Sequence, residues 1–354
     1  ELISGASIET YPYSLEVSDL DPGDYFIKIV GTANSESWQN PYDFQVLFSQ
    51  YGCTDPLANN YCEECTVDDG SCDYELTVVE VSGNIIEDTF WTNNNIYLMM
   101  SDVTVYSGIT LTIQEGTIIK FNYTSSASSK RLLITEGILD LQGTEDNPVV
   151  FTSSRDDTYG GDTNDDGVAT YPAAGDWGYI KTQNDLFTNA LIMYGGNYQW
   201  DSYPHLYHNY MLWIQNPEAT ITNCIFSDAF GEAVHTDPVT DITIMNNTII
   251  NSPTGIFIQG MDAYSSIASI TDNIIQFGSG TGIHINRFST STLVSGNTIT
   301  YQGGGIAVED GFGVIENNTI SECSGYPLIR INTSQPTFSN NTITNNQYQA
   351  VSVN

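Results

Sequence analysis

Positive charge is scarce in this chain, because 8 Lys and Arg stand against 43 Asp and Glu, for a formal net charge of −35 over 354 residues. A surface this acidic repels phosphate backbones and anionic headgroups, which excludes nucleic acid and anionic membranes as direct partners. No apolar run approaches the ~18 residues of a membrane span, so membrane insertion is excluded as well. The partners that remain are cations, neutral ligands and ligands held through a bridging cation.

Helical periodicity is also missing, since no window repeats apolar residues at three-and-four spacing. A short phrase returns instead, as in Asn246-Asn247-Thr248-Ile249 and Asn317-Asn318-Thr319-Ile320. Its second Asn falls at positions 223, 247, 273, 297, 318 and 341, which are 24, 26, 24, 21 and 23 residues apart. Self-similarity at a period of ~20–50 residues is typical of stacked-repeat proteins.

Each repeat carries short strands of alternating apolar residues, such as Ile242 with Ile244 and Ile283 with Ile285. Such strands, turned by Gly, Asn and Ser and stacked at ~4.8 Å per rung, form a parallel β-helix. The sequence therefore predicts an all-β fold, a parallel β-helix solenoid of about ten coils over residues 76–354. The recurring Asn is expected to form a turn ladder, bonding to the Asn above and below while adopting the left-handed backbone.

Phrases upstream of the regular repeat carry a resemblance to a known family. They are Gly116-Thr117-Ile118-Ile119-Lys120-Phe121, Pro148-Val149-Val150-Phe151-Thr152-Ser153 and Gly175-Asp176-Trp177-Gly178. They resemble the opening coils of right-handed, pectate-lyase-like parallel β-helix modules, which occur in large secreted bacterial surface proteins. The resemblance covers about residues 78–354. It implies a right-handed coil, in agreement with the general crossover rule, and a secreted protein.

Residues 1–50 have the pattern of a different module, a partial β-sandwich. Alternating strands are predicted at 13–17, 25–30 and 42–46, and the first two are linked by the turn Leu20-Asp21-Pro22-Gly23. This resembles the C-terminal half of the pre-peptidase C-terminal domain of secreted bacterial enzymes and adhesins, which implies that the earlier strands lie outside this sequence. The chain opens with neither an initiator Met nor a signal peptide, so we expect a piece of a longer secreted protein.

Four of the six Cys lie in residues 51–75, which we expect to be a linker between the two modules. In a secreted context this density indicates disulfides, whereas the Cys62-x-x-Cys65 spacing leaves zinc as the alternative. The preferred pairing among three joins Cys53 to Cys72 and Cys62 to Cys65. Cys224 and Cys323 are predicted to be buried thiols, because four coils separate them.

Two acidic segments are predicted to bind Ca²⁺. The linker resembles the Asp-rich, Cys-bracketed calcium-binding repeats of bacterial surface proteins, and the resemblance implies ligands at Asp55, Asp68 and Asp69. The phrase Asp162-Thr163-Asn164-Asp165-Asp166-Gly167 matches the first half of a calcium loop, in which alternate oxygen ligands converge. Its expected ligands are Asp162, Asn164 and Asp166. The alternative is a solvated acidic loop, since Ala173 stands where an EF-hand has Glu.

The strand alternation also predicts an outward column along one face of the solenoid. With Ile283 and Ile285 inward, His284 points outward, and the same phase selects His235, Phe257, Ala307, Arg330 and Ser352. Two positions further on, the outward set is Asp237, Gln259, Asn286, Glu309, Asn332 and Asn354. Polysaccharide lyases and glycosidases with this fold use such a face, which makes His284, Glu309 and Arg330 the candidate catalytic residues. The alternative is that outward positions are simply polar.

An insertion before residue 223 adds a cluster of aromatic residues that includes Tyr198, Trp200 and Tyr203. Aromatic rings on a surface loop stack against sugars or dock a neighbouring module, although packing onto the coil below is the simpler interpretation. Together with His235, Asp237 and Phe257, these residues are the candidate ligand-binding set.

The sequence favours a structural and adhesive role over catalysis. We predict a calcium-stabilised segment of a secreted or cell-surface protein that presents a long face to surface glycans, or to other copies and modules of the same protein. The rival prediction is a polysaccharide lyase or glycoside hydrolase that uses His284, Glu309 and Arg330.

Overall fold

The computed structural model describes residues 25–27, 30–33, 36–39, 44–46, 51–54, 61–63, 65, 67–68, 76–125, 131–200, 206–261, 265–325, 328–332, 334–348 and 351–353. Only the backbone is described within 25–46, at 68, at 198–200, at 206–208 and at 353. The chain divides into two compact units, Glu1–Glu75 and Leu76–Asn354. Among the described residues, no helix is long and apolar enough to cross a membrane.

The first unit contains short paired strands. They are β1 (Tyr25–Ile27), β2 (Val30–Ala33), β3 (Glu36–Gln39), β4 (Phe44–Val46), β5 (Tyr51–Gly52) and β6 (Val67–Asp68). β1 pairs with β4 and β2 with β3, both antiparallel, whereas β5 and β6 are parallel. The partial sandwich and the separate linker remain predictions.

Disulfides are present in the linker segment. One joins Cys62 to Cys65, and Cys53, which is buried, is also disulfide-bonded. Cys72 lies outside the described residues, as do two of the predicted calcium ligands, Asp55 and Asp69, and the side chain of the third, Asp68.

The second unit is a solenoid, and its coils are built from short strands. They are β7 (Thr77–Ile85), β8 (Thr89–Trp91), β9 (Asn95–Val105), β10 (Thr110–Gln114), β11 (Ile118–Phe121), β12 (Leu133–Thr135), β13 (Ile138–Gln142), β14 (Val149–Ser153), β15 (Ile180–Thr182), β16 (Leu186–Thr188), β17 (Ala190–Met193), β18 (Tyr198–Trp200), β19 (Leu206–His208), β20 (Tyr210–Ile214), β21 (Glu218–Thr222), β22 (Ile225–Ser227), β23 (Glu232–Thr236), β24 (Asp241–Met245), β25 (Thr248–Ile250), β26 (Thr254–Gln259), β27 (Ile267–Thr271), β28 (Ile274–Gln276), β29 (Thr281–Asn286), β30 (Leu293–Ser295), β31 (Thr298–Thr300), β32 (Gly304–Glu309), β33 (Val314–Glu316), β34 (Thr319–Ser321), β35 (Ile329–Asn332), β36 (Thr337–Ser339), β37 (Thr342–Thr344) and β38 (Val351–Val353).

Three parallel sheets wrap around one interior. Sheet A contains β12, β15, β20, β23, β26, β29, β32, β35 and β38, with the second halves of β7 and β9. Sheet B contains β11, β14, β17, β22, β25, β28, β31, β34 and β37, with the first halves of β7 and β9. Sheet C contains β16, β21, β24, β27, β30, β33 and β36, and β8, β10 and β13 form a separate short sheet. The predicted fold class, an all-β parallel β-helix, is confirmed.

Aliphatic residues fill the interior, one above another. In sheet A, Ile256, Ile283, Ile306 and Ile329 occupy one register position on successive rungs, and none is more than 1% exposed. Burying such a side chain contributes about 1.5–3 kcal/mol. Because side chains alternate along a strand, the residues next to these Ile in sequence point outward and form the solenoid surface.

The predicted Asn ladder lies inside the turn between sheets C and B. Asn297, which is fully buried, donates from Nδ2 to the Ile270 carbonyl at 2.8 Å and to Asn318 Oδ1 at 2.9 Å. Its own Oδ1 accepts from the Nδ2 and the backbone N of Asn273, at 2.9 and 3.0 Å. The pattern repeats at Asn247, Asn273, Asn318 and Asn341, so the turn carries its own hydrogen-bonding column.

The expectation that the ladder Asn adopts the left-handed backbone is wrong. Positive φ belongs to the residue before it, as at Asn246 (55°), Asp272 (56°) and Gly296 (70°). The first turn shows the same offset, since Asn223 has φ 54° and Cys224 occupies the ladder position, donating its N–H to Asn247 Oδ1. Two adjacent residues therefore have separate roles: the first adopts the left-handed backbone that turns the chain, and the second forms the hydrogen bonds along the ladder.

Candidate functional site

The predicted outward column lies along sheet A. His235 is in register with Phe257, Phe257 with His284, His284 with Ala307, and Ala307 with Arg330. Consecutive rungs are ~4.8 Å apart, so residues separated by a long stretch of sequence become direct neighbours on this face. The strand alternation was sufficient to predict that these residues share one face, although Ala307 is only 2% exposed there.

A second column of polar residues runs beside the first. Asn286 is in register with Gln259 and Glu309, and Glu309 with Asn332. Neighbours bond along the column, as when Asn286 Nδ2 donates to Gln259 Oε1 at 3.0 Å. Gln215 Nε2 likewise donates to Asp237 Oδ2 at 2.6 Å. The predicted Asn354 lies outside the described residues.

Three residues of these columns converge where β29, β32 and β35 meet. Arg330 Nη2 lies 3.0 Å from Glu309 Oε1, and His284 Nε2 lies 3.5 Å from the same oxygen. Burial lowers the pKa of His284 and outweighs the raising effect of Glu309, so the imidazole is neutral at neutral pH. The structure thus brings together the three candidate catalytic residues around one carboxylate oxygen.

Several buried polar atoms of this cluster have no hydrogen-bond partner among the described residues: His284 Nε2, Asn286 Oδ1 and Arg330 Nε. The 3.5 Å approach of His284 Nε2 to Glu309 is beyond good hydrogen-bond geometry. A buried donor or acceptor left unsatisfied costs about 1–3 kcal/mol. Unsatisfied buried polar atoms are uncommon in native structures, so this cluster is the candidate site.

Aromatic rings continue the column away from this cluster. His235 stacks on Tyr210 at 4.3 Å and on Phe257 at 5.0 Å, while His284 meets Phe257 edge-on at 4.9 Å. His235 Nδ1 also lies 2.6 Å from Glu232 Oε2. Because the rings stack on one another along the solenoid axis, they present edges to a ligand rather than open faces.

A satellite apolar cluster lies on the earlier rungs of sheet A, where Leu132, Tyr179 and Tyr210 are buried together. Trp213 packs edge-on against Tyr179 at 5.5 Å, and Lys181 Nζ lies 4.8 Å above the Trp213 ring. Lys181 and Trp213 are register neighbours, so this cation–π pair extends the column of His235 by two rungs.

The aromatic insertion contains a hairpin, in which β18 pairs antiparallel with β19. Tyr198 and Trp200 belong to β18, but the structure describes their backbone alone, and Tyr203 lies outside the described residues. Their assignment to the ligand-binding set stays a prediction.

The predicted calcium loop lies between β14 and β15. Asp162 Oδ2 accepts from the Gly167 N–H at 2.7 Å, and Asn164 Nδ2 donates to Asp166 Oδ2 at 2.8 Å. Thr170 also donates its hydroxyl to Asp166, and this bond lowers the pKa of the Asp166 carboxyl. Asn164 Oδ1 has no hydrogen-bond partner among the described residues. Within that part of the chain, no group of three or more His, Cys, Asp or Glu side chains is placed to hold a metal ion. Oxygen donors of this kind fit a hard cation.

A buried lysine that the sequence reasoning missed anchors the same loop. Lys120 on β11 has no exposed surface, and its Nζ donates to the carbonyls of Asp156 at 2.8 Å and Gly161 at 2.6 Å. Burial lowers the pKa of Lys120, against the opposing effect of Asp156 and the neighbouring acids. The available signal was one of the 8 cations of the chain standing in an apolar strand before an acidic segment.

We expect Lys120→Met to lower the free energy of unfolding by about 2–4 kcal/mol, because two buried carbonyls lose a charged donor. Urea denaturation measures the loss, and limited proteolysis should report new cleavage within residues 154–176. Lys181→Met is the matched control, with an expected loss of under about 1 kcal/mol for one cation–π contact. Equal losses in the two variants would contradict an anchoring role for Lys120.

Comparison with known protein families agrees with this architecture. Residues 209–354 match the model of the right handed beta helix region, and residues 83–202 match the model of the pectate-lyase like beta helix domain. The solenoid is similar to both. The right-handed coil in the first name is also the hand that the crossover rule expects. The comparisons with curated proteins and with solved structures gave no match.

Proposed function

We propose that the β-helix is a glycan-binding, structural segment of a secreted or cell-surface protein. The observation that carries the proposal is the group of unsatisfied buried atoms on His284, Asn286 and Arg330 around Glu309. Sugar hydroxyls both donate and accept, so one hydroxylated ligand can satisfy an amide oxygen, a guanidinium N–H and an imidazole nitrogen together. The similarity of residues 83–202 to a pectate-lyase like domain supports a carbohydrate ligand.

The geometry supports an extended ligand that runs along the solenoid axis. The column from Gln259 through Asn286 and Glu309 to Asn332 offers an amide or carboxylate at every rung. The aromatic edges of His235 and Phe257 border this column on the earlier rungs. Successive polar groups ~4.8 Å apart suit a polymer of repeating hydroxylated units.

The adhesive part of the proposal rests on the rigidity of the solenoid. Strand pairing holds each rung of this face to its neighbours, and the Asn ladder adds hydrogen bonds on the rungs from Asn247 to Asn341, so the face keeps its spacing under mechanical load. A binding face on a stiff solenoid is suited to attachment to surface glycans or to other copies of the chain. We therefore propose attachment, rather than turnover, as the main activity.

Glycan-array binding and calorimetry test the proposal. We expect wild-type protein to bind a hydroxylated polysaccharide, and Arg330→Gln to weaken that binding at least about tenfold, or 1.4 kcal/mol. Arg287→Gln is the matched control, because Arg287 is exposed, lies next to Asn286 and carries the same charge. Equal binding by both variants, or no glycan binding by the wild type, would refute the assignment.

A lyase or hydrolase is the second candidate, favoured by the neutral His284 beside Glu309 and Arg330. A neutral imidazole near a guanidinium is chemically able to accept a proton from a uronic acid whose carboxylate Arg330 binds. Turnover of uronic-acid polymers that disappears in Arg330→Ala and in Glu309→Gln would place catalysis ahead of attachment.

We also propose that Ca²⁺ stabilises the loop at Asp162, Asn164 and Asp166, whose oxygens suit a hard cation. Calcium at about one hundred times its Kd should stabilise the fold by about 2.7 kcal/mol, and EDTA should reverse the effect. Asp166→Asn should abolish the shift in the thermal melt, whereas the exposed Asp146→Asn should retain it. A melt that is the same in calcium and in EDTA would rule calcium out.

A further inference from the structure

The outward column of sheet A is interrupted at one rung. Ala307 on β32 lies in register with His284 on β29 and with Arg330 on β35. Gly304, also on β32, lies in register with Thr281 on β29. Gly304 and Ala307 are both small, and Ala307 is only 2% exposed. A cleft of about 210 Å³ opens on the Gly304 side of Ala307, lined by Thr281, Gly304, Gly305, Ala307, Leu328 and Arg330, whereas His284, Asn286 and Glu309 are not among its lining residues.

The size of the cleft limits what enters it. Pockets for drug-sized ligands usually measure about 300–1,000 Å³, so a 210 Å³ cleft admits a single ring unit. Glycine is required in its walls because the rungs pack closely there: a Cβ on Gly305 would come within 2.7 Å of the Leu328 carbonyl, and one on Gly325 within 1.9 Å of the Gly303 carbonyl. The other units of a polymer would lie along the polar column outside the cleft.

The electrostatics of the cleft limit the ligand further. The Arg330 guanidinium, which lines the cleft, is already paired with Glu309 at 3.0 Å. His284 carries no compensating charge at neutral pH, and the exposed Arg287 follows the far end of β29, outside the residues that line the cleft. The whole chain carries a formal charge of −35. An anionic ring in the cleft would therefore meet no unpaired cation among the described lining residues, at a substantial desolvation cost.

We propose that the cleft beside Arg330 binds a neutral hexose unit of a polysaccharide and discriminates against a uronic acid unit. This inference rests on the glycan-binding function proposed above and specifies its ligand class. A hydroxyl bound at Arg330 Nε satisfies that buried donor without introducing charge. A carboxylate in the same place competes with Glu309 for Arg330.

The test compares polymers that differ only at C6. Polygalacturonate and alginate are assayed by calorimetry beside their carboxyl-reduced forms, at low salt in EDTA and again with millimolar calcium. We expect a carboxyl-reduced polymer to bind at least about tenfold more tightly than its acidic parent, with little dependence on calcium. An acidic parent that binds as tightly as its reduced form, or one that binds only through calcium, overturns the inference.

A specificity reversal provides the second measurement. Glu309→Gln releases Arg330 from its ion pair, so this variant should gain at least about tenfold in affinity for the acidic polymer. Glu316→Gln on sheet C changes the net charge equally and should change neither affinity. Failure of Glu309→Gln to gain uronate affinity overturns the assignment of neutrality to the Glu309–Arg330 pair.

The two proposals fail in different ways. If no polymer of either class binds to wild-type protein, the glycan-binding function fails and the inference fails with it. If acidic polymers bind and Arg330→Gln abolishes that binding, the site is correct and only the neutral ligand class is wrong.

Discussion

Asn297→Ala is expected to lower the free energy of unfolding by about 3–5 kcal/mol, because several buried groups lose their partners at once. The Ile270 carbonyl loses its 2.8 Å bond, and the N–H and Nδ2 of Asn273 lose their shared acceptor. Urea denaturation gives the loss, and hydrogen exchange should place it in the coils on both sides of residue 297. Water cannot replace these bonds, since Asn297 has no exposed surface.

The same substitution near the last rung is the control. Asn341 makes the same type of bond to the Ile315 carbonyl, at 2.7 Å, but it is partly exposed and the neighbouring Thr342 is exposed. We expect Asn341→Ala to cost only about 1 kcal/mol, because Asn341 is itself partly exposed and water can enter the space that the substitution leaves. Equal costs at positions 297 and 341 would contradict the view that burial gives the ladder its strength.

Trp177→Ala is expected to cost about 3–5 kcal/mol, as a large cavity opens beside an early coil. The Trp177 ring is fully buried, stacks on Phe121 at 4.1 Å and donates from Nε1 to the Met193 carbonyl at 2.8 Å. A Cβ on Gly195 would approach the ring to 2.6 Å, so the ring packs directly against the backbone of Gly195 and no larger residue fits there. Chemical denaturation monitored by far-ultraviolet circular dichroism measures the loss.

Trp213→Ala removes the same side chain from the outer surface of sheet A. The expected loss is about 1 kcal/mol, since Trp213 is only half-buried and contacts Lys181 and Tyr179 at the edge of the satellite cluster. A Trp213→Ala variant as unstable as Trp177→Ala would mean that the satellite cluster, rather than the solenoid interior, supports these coils.

Strand alternation made the outward face predictable. The repeat places Ile283 and Ile285 inside, and because alternate side chains of a strand point to opposite faces, His284 must point outward. The residues in register with His284 on the other rungs point outward for the same reason. The contacts of His284, Glu309 and Arg330 follow from register, and register follows from the repeat. No knowledge of the side-chain conformations was needed to group these three residues.

Periodicity carries less information at the turns and in the long loop. It placed Asn223 in the ladder, whereas the structure places Cys224 there, because the residue that bends the chain and the residue that bonds along it are neighbours of similar type. The burial of Lys120 depends on how residues 154–176 fold over β11, and a strand period does not encode that path. The same holds for the ring orientations of His235 and Phe257.

Parallel register has a consequence for how such a molecule grows. Each rung touches only the rung before and after it, so copying one whole coil within the gene returns every strand to a suitable neighbour and lengthens the rod. Copying the coil between β29 and β35 would instead move Arg330 one step away from His284 and dismantle their shared contact with Glu309. The solenoid can therefore lengthen at almost every coil without losing a strand pairing, whereas the shared contact at Glu309 requires the number of coils between β29 and β35 to stay constant.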